Sequence, residues 1–510
     1  MIASSFNKSK NLYDYSVDLS KNWISKYYPN NNYKFYGISL EKIQAFSQHH
    51  FFSSLLQKQP IDDVWGQYPQ TFAYSLSPGR KALKYASKLT HLLKLIVAPR
   101  AKIKWPHVAS EVLIVASGRH LSGLLPLIKY LSKRRKVLVV GKITEVDQKY
   151  LKSINISFLN LTNTQRYQSR RERLKALSFF VFRRWRVENE NALLAGRPWT
   201  LRLWYLRLFL FPEIVSFLNF AFYLYLRAKP QVILTSTSND TFGSAFALMA
   251  KSFGIKVAEI QHGIATWEII ESDFYFSDYY LVWGRLAKMI HPKNAYIAGC
   301  PYYKRPKHIN HVNLKEKKII NVLVLWAPIF GTLSLFLRYS NKQSIEKLVK
   351  GLSKLDSGFR IILRNHPSYS LRDDLDDLEL PANVKVDNSS KVENVINKSD
   401  VVITGATTAG LIAILKNKPT LYFDNSFLSG KFGDPFVKSK SSINIKFDQL
   451  EDIDVGIKKI LYDKNKLKRQ RFYQNKFSNH YVSAFGIKSF MEIDKFINKV
   501  IVSEKPQLSS

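Results

Sequence analysis

A chain of 510 residues with 46% hydrophobic and 14% aromatic content is no small stapled module, and at roughly 100 to 200 residues per domain it has room for two or three cores. Its 77 Lys and Arg against 39 Asp and Glu leave a formal charge of +38, a field that draws nucleic acid, an anionic membrane face or phosphorylated substrates without choosing among them. One cysteine, Cys300, excludes an intramolecular disulfide and any cysteine-rich zinc or iron–sulfur site, which fits a reducing compartment and points to the cytoplasm.

The opening stretch MIASSFNKSKNLYDYS lacks the continuous apolar region of a secretory signal, so no export is expected. Residues 1–105 show no strand–helix alternation and are expected to form an N-terminal extension of mixed helix and loop. It closes on the two-proline connector IVAPRAKIKWPH. From residue 106, EVLIVASGRH gives an apolar strand and a small-residue turn, LSGLLPLIKYLSKR a helix and KVLVVGKI a second strand. That is a βαβ unit with a parallel sheet. Its turn offers Ser117, Arg119 and His120 as acceptor or phosphate contacts.

Residues about 165–227 interrupt the alternation with a basic aromatic insertion, RYQSRRERLKALSFFVFRRWRVENE followed by the apolar Leu208–Leu226. Pro212, Glu213 and Asn219 weigh against a membrane span, since an acid in mid-span costs about 2.5 to 3.5 kcal/mol. Clustered arginine with Phe179, Phe180, Phe182 and Trp185 suits peripheral attachment to an anionic bilayer. The alternative is a pair of ordinary helices with aromatics packed inward and arginines solvated.

Alternation resumes with the strand QVILTSTSND, the helix TFGSAFALMAKSFG and the strand IKVAEIQHG. Asp240 ends the first of these as a second possible base or nucleophile, or as the N-cap of the helix at Thr241. Gln261, His262 and Gly263 end the second, at the carboxyl edge where open α/β sheets bind ligands. YYLVWG and AYIAGCPYY complete a first Rossmann-like domain over 106–305, on the acceptor side, and KRPKHINHVNLKEKK reads as a linker.

A second alternating region runs over 316–480, on the nucleotide-donor side. It passes through IINVLVLWAP, FRIILRNHP, NVKVDN, DVVITGATTAGLIAILKNK and TLYFD, and residues 481–510 form a C-terminal helix and tail. The expected fold class is α/β, with two doubly wound Rossmann-like domains facing a cleft and an N-terminal extension. In RIILRNHP, Pro367 disfavours helix at His366, which holds the imidazole where the strand leaves the sheet, with Arg364 as a further expected contact to donor phosphate. In TGATTAG, Gly405 and Gly410 allow a tight turn, and Thr407 and Thr408 open a helix whose free N–H groups favour anions. An ordinary threonine N-cap is the plain alternative.

These turns resemble those of GT-B glycosyltransferases, especially bacterial capsule and surface-polysaccharide enzymes using CMP- or CDP-activated donors, over roughly residues 108 to 480. The resemblance to sialyl- and Kdo-transferases implies that His366, Thr407 and Thr408 contact donor phosphate. Bacterial sialyltransferases carry an acidic motif ending in glycine where this chain has Gln261-His262-Gly263. That turn is similar instead to the one in CDP-glycerol glycerophosphotransferases, where histidine is the proposed base. An imidazole with an unperturbed pKa near ~6.5 can accept a hydroxyl proton near neutrality, so His262 either deprotonates the acceptor or fixes the leaving phosphate.

The expected function is transfer of a sugar from a nucleotide donor to a cell-surface polysaccharide or lipid-linked glycan, on the inner face of the cytoplasmic membrane. No Asp-X-Asp cluster stands at a strand end, and no cofactor or obligatory metal is expected. The alternatives are a nucleotide-sugar 2-epimerase of similar fold and a non-catalytic polyanion or RNA binder. No RRM, KH, zinc-finger or helix-turn-helix signature supports the last, and no nucleic-acid partner is expected.

Overall fold

The computed structural model describes residues 2–28, 34–56, 109–161, 197–238, 240–263, 274–290, 294–303, 317–326, 341–365, 378–387, 391–405, 407–423 and 435–503, with isolated residues 171, 174, 178, 180, 305 and 375. The chain divides into two compact units. One comprises Leu12–His262, Ile269–Lys304 and Ser483–Ser510, the other Met1–Asn11, Gly263–Glu268 and Arg305–Val482.

The first unit takes in α1 (Ile2–Tyr27) from Leu12 onward, the short hairpin β1 (Lys34–Phe35) and β2 (Ile38–Ser39), and α2 (Leu40–Leu56). Then come β3 (Val112–Val115), α3 (Gly118–Ser132), β4 (Val137–Gly141), α4 (Glu145–Ser153) and β5 (Ser157–Asn160). Next are α5 (Arg197–Tyr205), a π turn (Leu206–Leu210) and α6 (Phe211–Ala228), and after them β6 (Val232–Thr235), α7 (Thr241–Ser252) and β7 (Lys256–Ile260). β8 (Tyr279–Val282), α8 (Arg285–Ile290) and β9 (Ala295–Ile297) complete the sheet. Its order is β5-β4-β3-β6-β7-β8-β9, with every pairing parallel. The chain winds left from β3 and right from β6, so the topological switch lies between those two strands.

Successive side chains on a strand point to opposite faces, and the two faces are covered by different helices. Leu113 and Val115 face the core shared with α6 and α7. Val112 and Ile114 face a second core that includes residues of the last helix, Ile487–Ser503. There Phe490, Ile493, Phe496, Ile497 and Val500 recur at helical spacing and are buried against this first sheet.

The Leu208–Leu226 segment is a core helix. Ile214, Phe217, Leu218, Ala221, Leu224 and Tyr225 are all buried, so packing within the fold accounts for much of its apolarity. The stretch Arg202–Ala228 is long and apolar enough to cross a membrane by length and composition, yet most of it is enclosed. The π turn falls just before Pro212, whose ring nitrogen cannot donate the i→i−4 bond, and the widened turn accommodates that loss.

The N-terminal helices pack on this segment through aromatic rings. Trp23 lies edge-on to Trp199 at 5.0 Å and stacked on Phe211 at 6.3 Å, and Trp199 Nε1 donates to Tyr28 Oη at 2.7 Å. Two arginines of the 165–227 region are interior. Arg202 is fully buried, lies over Phe51 and donates from Nε to Gln48 Oε1 at 3.2 Å. Arg207 donates to the Phe180 carbonyl at 2.7 Å. Cation–π contact and main-chain acceptors compensate the guanidinium groups there. Most of residues 165–196 lies outside the described residues.

Glu41 is buried and accepts from the Ile24 and Ser25 amides at 2.5 and 3.3 Å. Burial pushes its carboxyl up to about 7, against the lowering effect of those hydrogen bonds. Between an ordinary carboxyl pKa and about 7 the folded state therefore binds more protons than the unfolded one. Stability falls as pH rises through that window, by an amount on the order of 3 kcal/mol at most. Melting curves should show the native chain losing stability between pH 5 and pH 8 relative to Glu41→Gln. Parallel pH profiles for the two proteins would contradict this.

The second unit holds β10 (Ile320–Trp326), α9 (Asn341–Leu352), β11 (Phe359–Asn365), β12 (Val384–Val386), α10 (Val392–Lys398), β13 (Val401–Thr404), α11 (Thr408–Leu415) and β14 (Thr420–Phe423). It continues through α12 (Pro435–Lys438), β15 (Ile443–Ile445), a 3-10 turn (Phe447–Asp452), α13 (Ile453–Tyr462) and α14 (Lys464–Tyr481). The sheet order is β12-β11-β10-β13-β14-β15, again parallel throughout, with the switch between β10 and β13. Val322, Val324, Ile361, Leu363 and Ile403 pack with Ile345 and Leu348 of α9 and Ile453 and Ile457 of α13. The final helix, α15 (Ile487–Ser503), is the one that returns to the first sheet.

Candidate functional site

In the first unit the carboxyl ends of β3, β6 and β7 bring together residues far apart in sequence. After β3 the chain turns sharply at Gly118, whose φ of +52° lies in the left-handed region that glycine adopts freely. The Lys142 amide donates to Ser117 Oγ at 3.0 Å, tying this turn to the end of β4. A Cβ on Gly141 would fall 1.7 Å from the Ala116 carbonyl oxygen, so only glycine allows the two strand ends to close. The turn places His120 on the first turn of α3. Its ring lies edge-on to His262 with centroids 4.6 Å apart and an interplanar angle of 77°.

His262 follows β7 and is half-buried. The residue before it fixes the main chain. Gln261 is 4% exposed, its Oε1 accepts from the Trp283 amide at 2.7 Å, and its carbonyl accepts from Trp283 Nε1 at 2.7 Å. Gln261 was expected to line the acceptor region, but its side-chain oxygen is committed to Trp283, where it anchors the turn that carries His262. Gly263 is half-buried beyond it. Arg119 opens α3 beside His120, and its side chain lies outside the described residues.

Asp240 is the N-cap of α7. Its Oδ1 accepts from the Gly243 amide at 2.5 Å and its Oδ2 from Thr237 Oγ1 at 3.0 Å. Burial raises its carboxyl above the ordinary range, against the Gly243 and Thr237 hydrogen bonds and the Lys142 charge, which lower it. We expect Asp240→Ala to lose the cap and about 1 kcal/mol of stability, while Asp240→Asn keeps an acceptor for Gly243 and turns over near the native rate. Thermal melts and initial rates of the two variants check this. A collapse of turnover in the asparagine variant alone would return Asp240 to the chemistry.

In the second unit β13 ends at Thr404, and the turn from Gly405 opens α11. Thr407 is the N-cap, its Oγ1 accepting from the Gly410 amide at 2.9 Å and lying 3.2 Å from Thr404 Oγ1. Thr404 donates onward to the Gly405 carbonyl at 3.0 Å. This chain uses up the Thr407 hydroxyl, so the Thr408 hydroxyl and the first free N–H groups of α11 remain for an anion. A Cβ on Gly410 would meet Thr404 Oγ1 at 2.5 Å, which makes glycine necessary in this first turn.

Arg364, in register with Leu325, which itself pairs with Thr404, stands on the same edge. It is half-buried, and its Nη1 is buried without a hydrogen-bond acceptor. His366 and Pro367 lie outside the described residues.

Two residues of these strand ends were not anticipated. Trp326 ends β10 at 5% exposure, stacks on Phe423 at 6.2 Å and has a buried Nε1 without an acceptor. Its signal is a polar-edged aromatic closing an apolar strand before Ala-Pro. Glu259 lies buried within β7 and accepts from Ser238 Oγ at 2.5 Å and Ser277 Oγ at 3.2 Å, bracing the turn before Asp240. Its signal is an acid among the apolar residues of the strand KVAEI. Among the described residues no group of three His, Cys, Asp or Glu is placed to hold a metal ion.

No family model matches the chain, and no curated protein matches it. Among solved structures it is similar to a glycosyltransferase from Rickettsia africae, at 13% identity and a TM-score of 0.44 over 77% of this chain and 98% of that one. It is similar to Anabaena HepE in complex with UDP-glucose, at 11% identity and 0.45 over 77% and 100%. A third is the Methanocaldococcus jannaschii UDP-GlcNAc 2-epimerase in complex with UDP-GlcNAc and UDP, at 14% identity and 0.45 over 76% and 99%. Similarity at this level leaves function to be argued from the chain's own residues. Those residues define a protein of two doubly wound α/β domains, each with chemically equipped strand ends at or beside its switch point.

Proposed function

We propose that the chain is a glycosyltransferase that moves a sugar from a nucleotide-activated donor to a cell-surface polysaccharide or lipid-linked glycan. CMP- and CDP-linked donors are favoured, at the inner face of the cytoplasmic membrane, with no obligatory metal. The observation that carries this reading is the His120–His262 pair, 4.6 Å between centroids, beside the switch point of the first sheet.

In this reading the His262 imidazole takes the proton of the acceptor hydroxyl as that oxygen bonds to the anomeric carbon. The bond from that carbon to the donor phosphate oxygen breaks, and the phosphate leaves with the electron pair. The N-terminus of α11, the Thr408 hydroxyl, the Arg364 guanidinium and His366 are assigned to the phosphate, where charge-assisted donors oppose the developing negative charge.

Nucleotide release from a panel of sugar nucleotides, with and without a lipid-linked glycan, tests the reading. Release that depends on the acceptor supports transfer. Conversion of UDP-GlcNAc alone to its 2-epimer would replace it with epimerisation. Salt-sensitive RNA binding without any sugar-nucleotide use would replace it with polyanion binding.

A further inference from the structure

Helix α14 carries six Lys and Arg and no Asp or Glu in 18 residues, and its two faces differ sharply. The inner face is fixed by polar bonds as well as by apolar contact. Gln470 donates to the Thr420 carbonyl at 2.7 Å and accepts from the Thr420 amide at 3.3 Å, and Gln474 donates to the carbonyls of Lys418 and Ser441 at 2.8 and 3.1 Å. With Phe477 and Tyr481 buried below them, these contacts set the rotation of the helix. Lys464, Lys468, Phe472 and Lys476 therefore point outward at four-residue steps and are all exposed, with Arg469 beside them. Phe472 is 63% exposed.

A helix that is merely solvated tends to pair opposite charges four residues apart, and like charges at that spacing destabilise it. Cations in the first turn also oppose the helix dipole. Lys464 and Lys466 stand in that turn, offset by one acid, Asp463, which caps the helix by accepting from the Lys466 amide at 3.0 Å. Lys459 of α13 adds to the crowding, and contact with it holds the Lys466 ammonium below its ordinary pKa, with burial and repulsion adding to the effect. So local stability is spent on a cationic surface with an apolar ring at its centre.

We propose that the outer face of α14 docks on an anionic lipid bilayer, with Lys464, Lys468, Arg469 and Lys476 at the headgroups and Phe472 at the acyl boundary. The proposal rests on the peripheral membrane location in the function proposed above and gives it a surface. A single outward helix face with one protruding ring and flanking lysines suits a planar anionic surface. A nucleic-acid strand instead calls for a groove with successive free aromatic faces. The adjacent ring, Tyr473, already carries Lys440 at 5.5 Å and Arg469 at 5.9 Å.

The test is co-sedimentation of the full chain with vesicles of phosphatidylcholine alone and of phosphatidylcholine mixed with phosphatidylglycerol, with polyuridylate as a competitor. The native chain should bind only the anionic vesicles. Each basic residue near such a surface contributes about fivefold, from roughly 1 kcal/mol, so Lys464→Gln/Lys468→Gln/Lys476→Gln should bind about 100-fold more weakly. Phe472→Ser should weaken binding several-fold and melt like the native chain, and the triple variant, relieved of like charges at four-residue spacing, should melt at or above the native temperature.

Native binding to anionic vesicles that survives the triple substitution would overturn the assignment to α14 while leaving the membrane location standing. Failure of the native chain to bind any vesicle would overturn both. Preference for polyuridylate over anionic vesicles would turn the face into a nucleic-acid surface. Vesicle binding is read without donor or acceptor, so none of these results depends on transferase turnover.

Discussion

His262→Ala is expected to keep its melting temperature and its nucleotide affinity while turnover falls by about 10² to 10⁴-fold, the usual contribution of a positioned acid–base group. The structure makes this separation of effects sharp. The turn is held by Gln261 through its two hydrogen bonds with Trp283, so removing the half-buried imidazole leaves the main chain anchored. If the imidazole instead holds the leaving phosphate, donor affinity falls along with rate. If it only closes a turn, the variant turns over near the native rate, and that result would remove His262 from the mechanism.

Arg364→Met should lower nucleotide affinity by about 10- to 100-fold, since a charge-assisted hydrogen bond to phosphate is worth about 1.5 to 3 kcal/mol. The same substitution should leave the melting temperature unchanged or raise it. Arg364 Nη1 is a buried donor without an acceptor, and replacing such a group by an apolar side chain removes a desolvation cost. Weaker ligand binding together with undiminished stability marks a residue kept for a ligand. Calorimetric titration with the preferred nucleotide and a melting curve of each protein give both numbers. Unchanged affinity would take Arg364 out of the phosphate site.

Much of both sheets was legible in the sequence because their central strands are short apolar runs bounded by turn residues, as in VLIV, VILT and VVIT. The edge strand SFLN is half-exposed and carries no such signal. The return of α15 to the first sheet was not legible either. Its apolar spacing shows a face to be buried, whereas the sheet it covers is decided by long-range packing. The same limit applies to Arg202, which reads as a surface charge until α2 supplies Gln48 and Phe51 around it.

At the candidate site the sequence identified His262 and His120 as strand-end residues. Their rings meet across the intervening strand β6, a contact that sequence position does not reveal. Gln261 looked like a site residue because of its neighbour, and its role became visible only with Trp283 in place.

Titration of the native chain with CMP, CDP, UDP and GDP, followed by melting temperature at moderate salt, tests the central claim most directly. A ligand bound only by the folded state stabilises it by about 2.7 kcal/mol at 100 times its dissociation constant. The account predicts a saturable rise of several degrees with one of these nucleotides, reduced in Arg364→Met and retained in His262→Ala. No shift with any of the four, alongside salt-dependent binding of RNA, would contradict it.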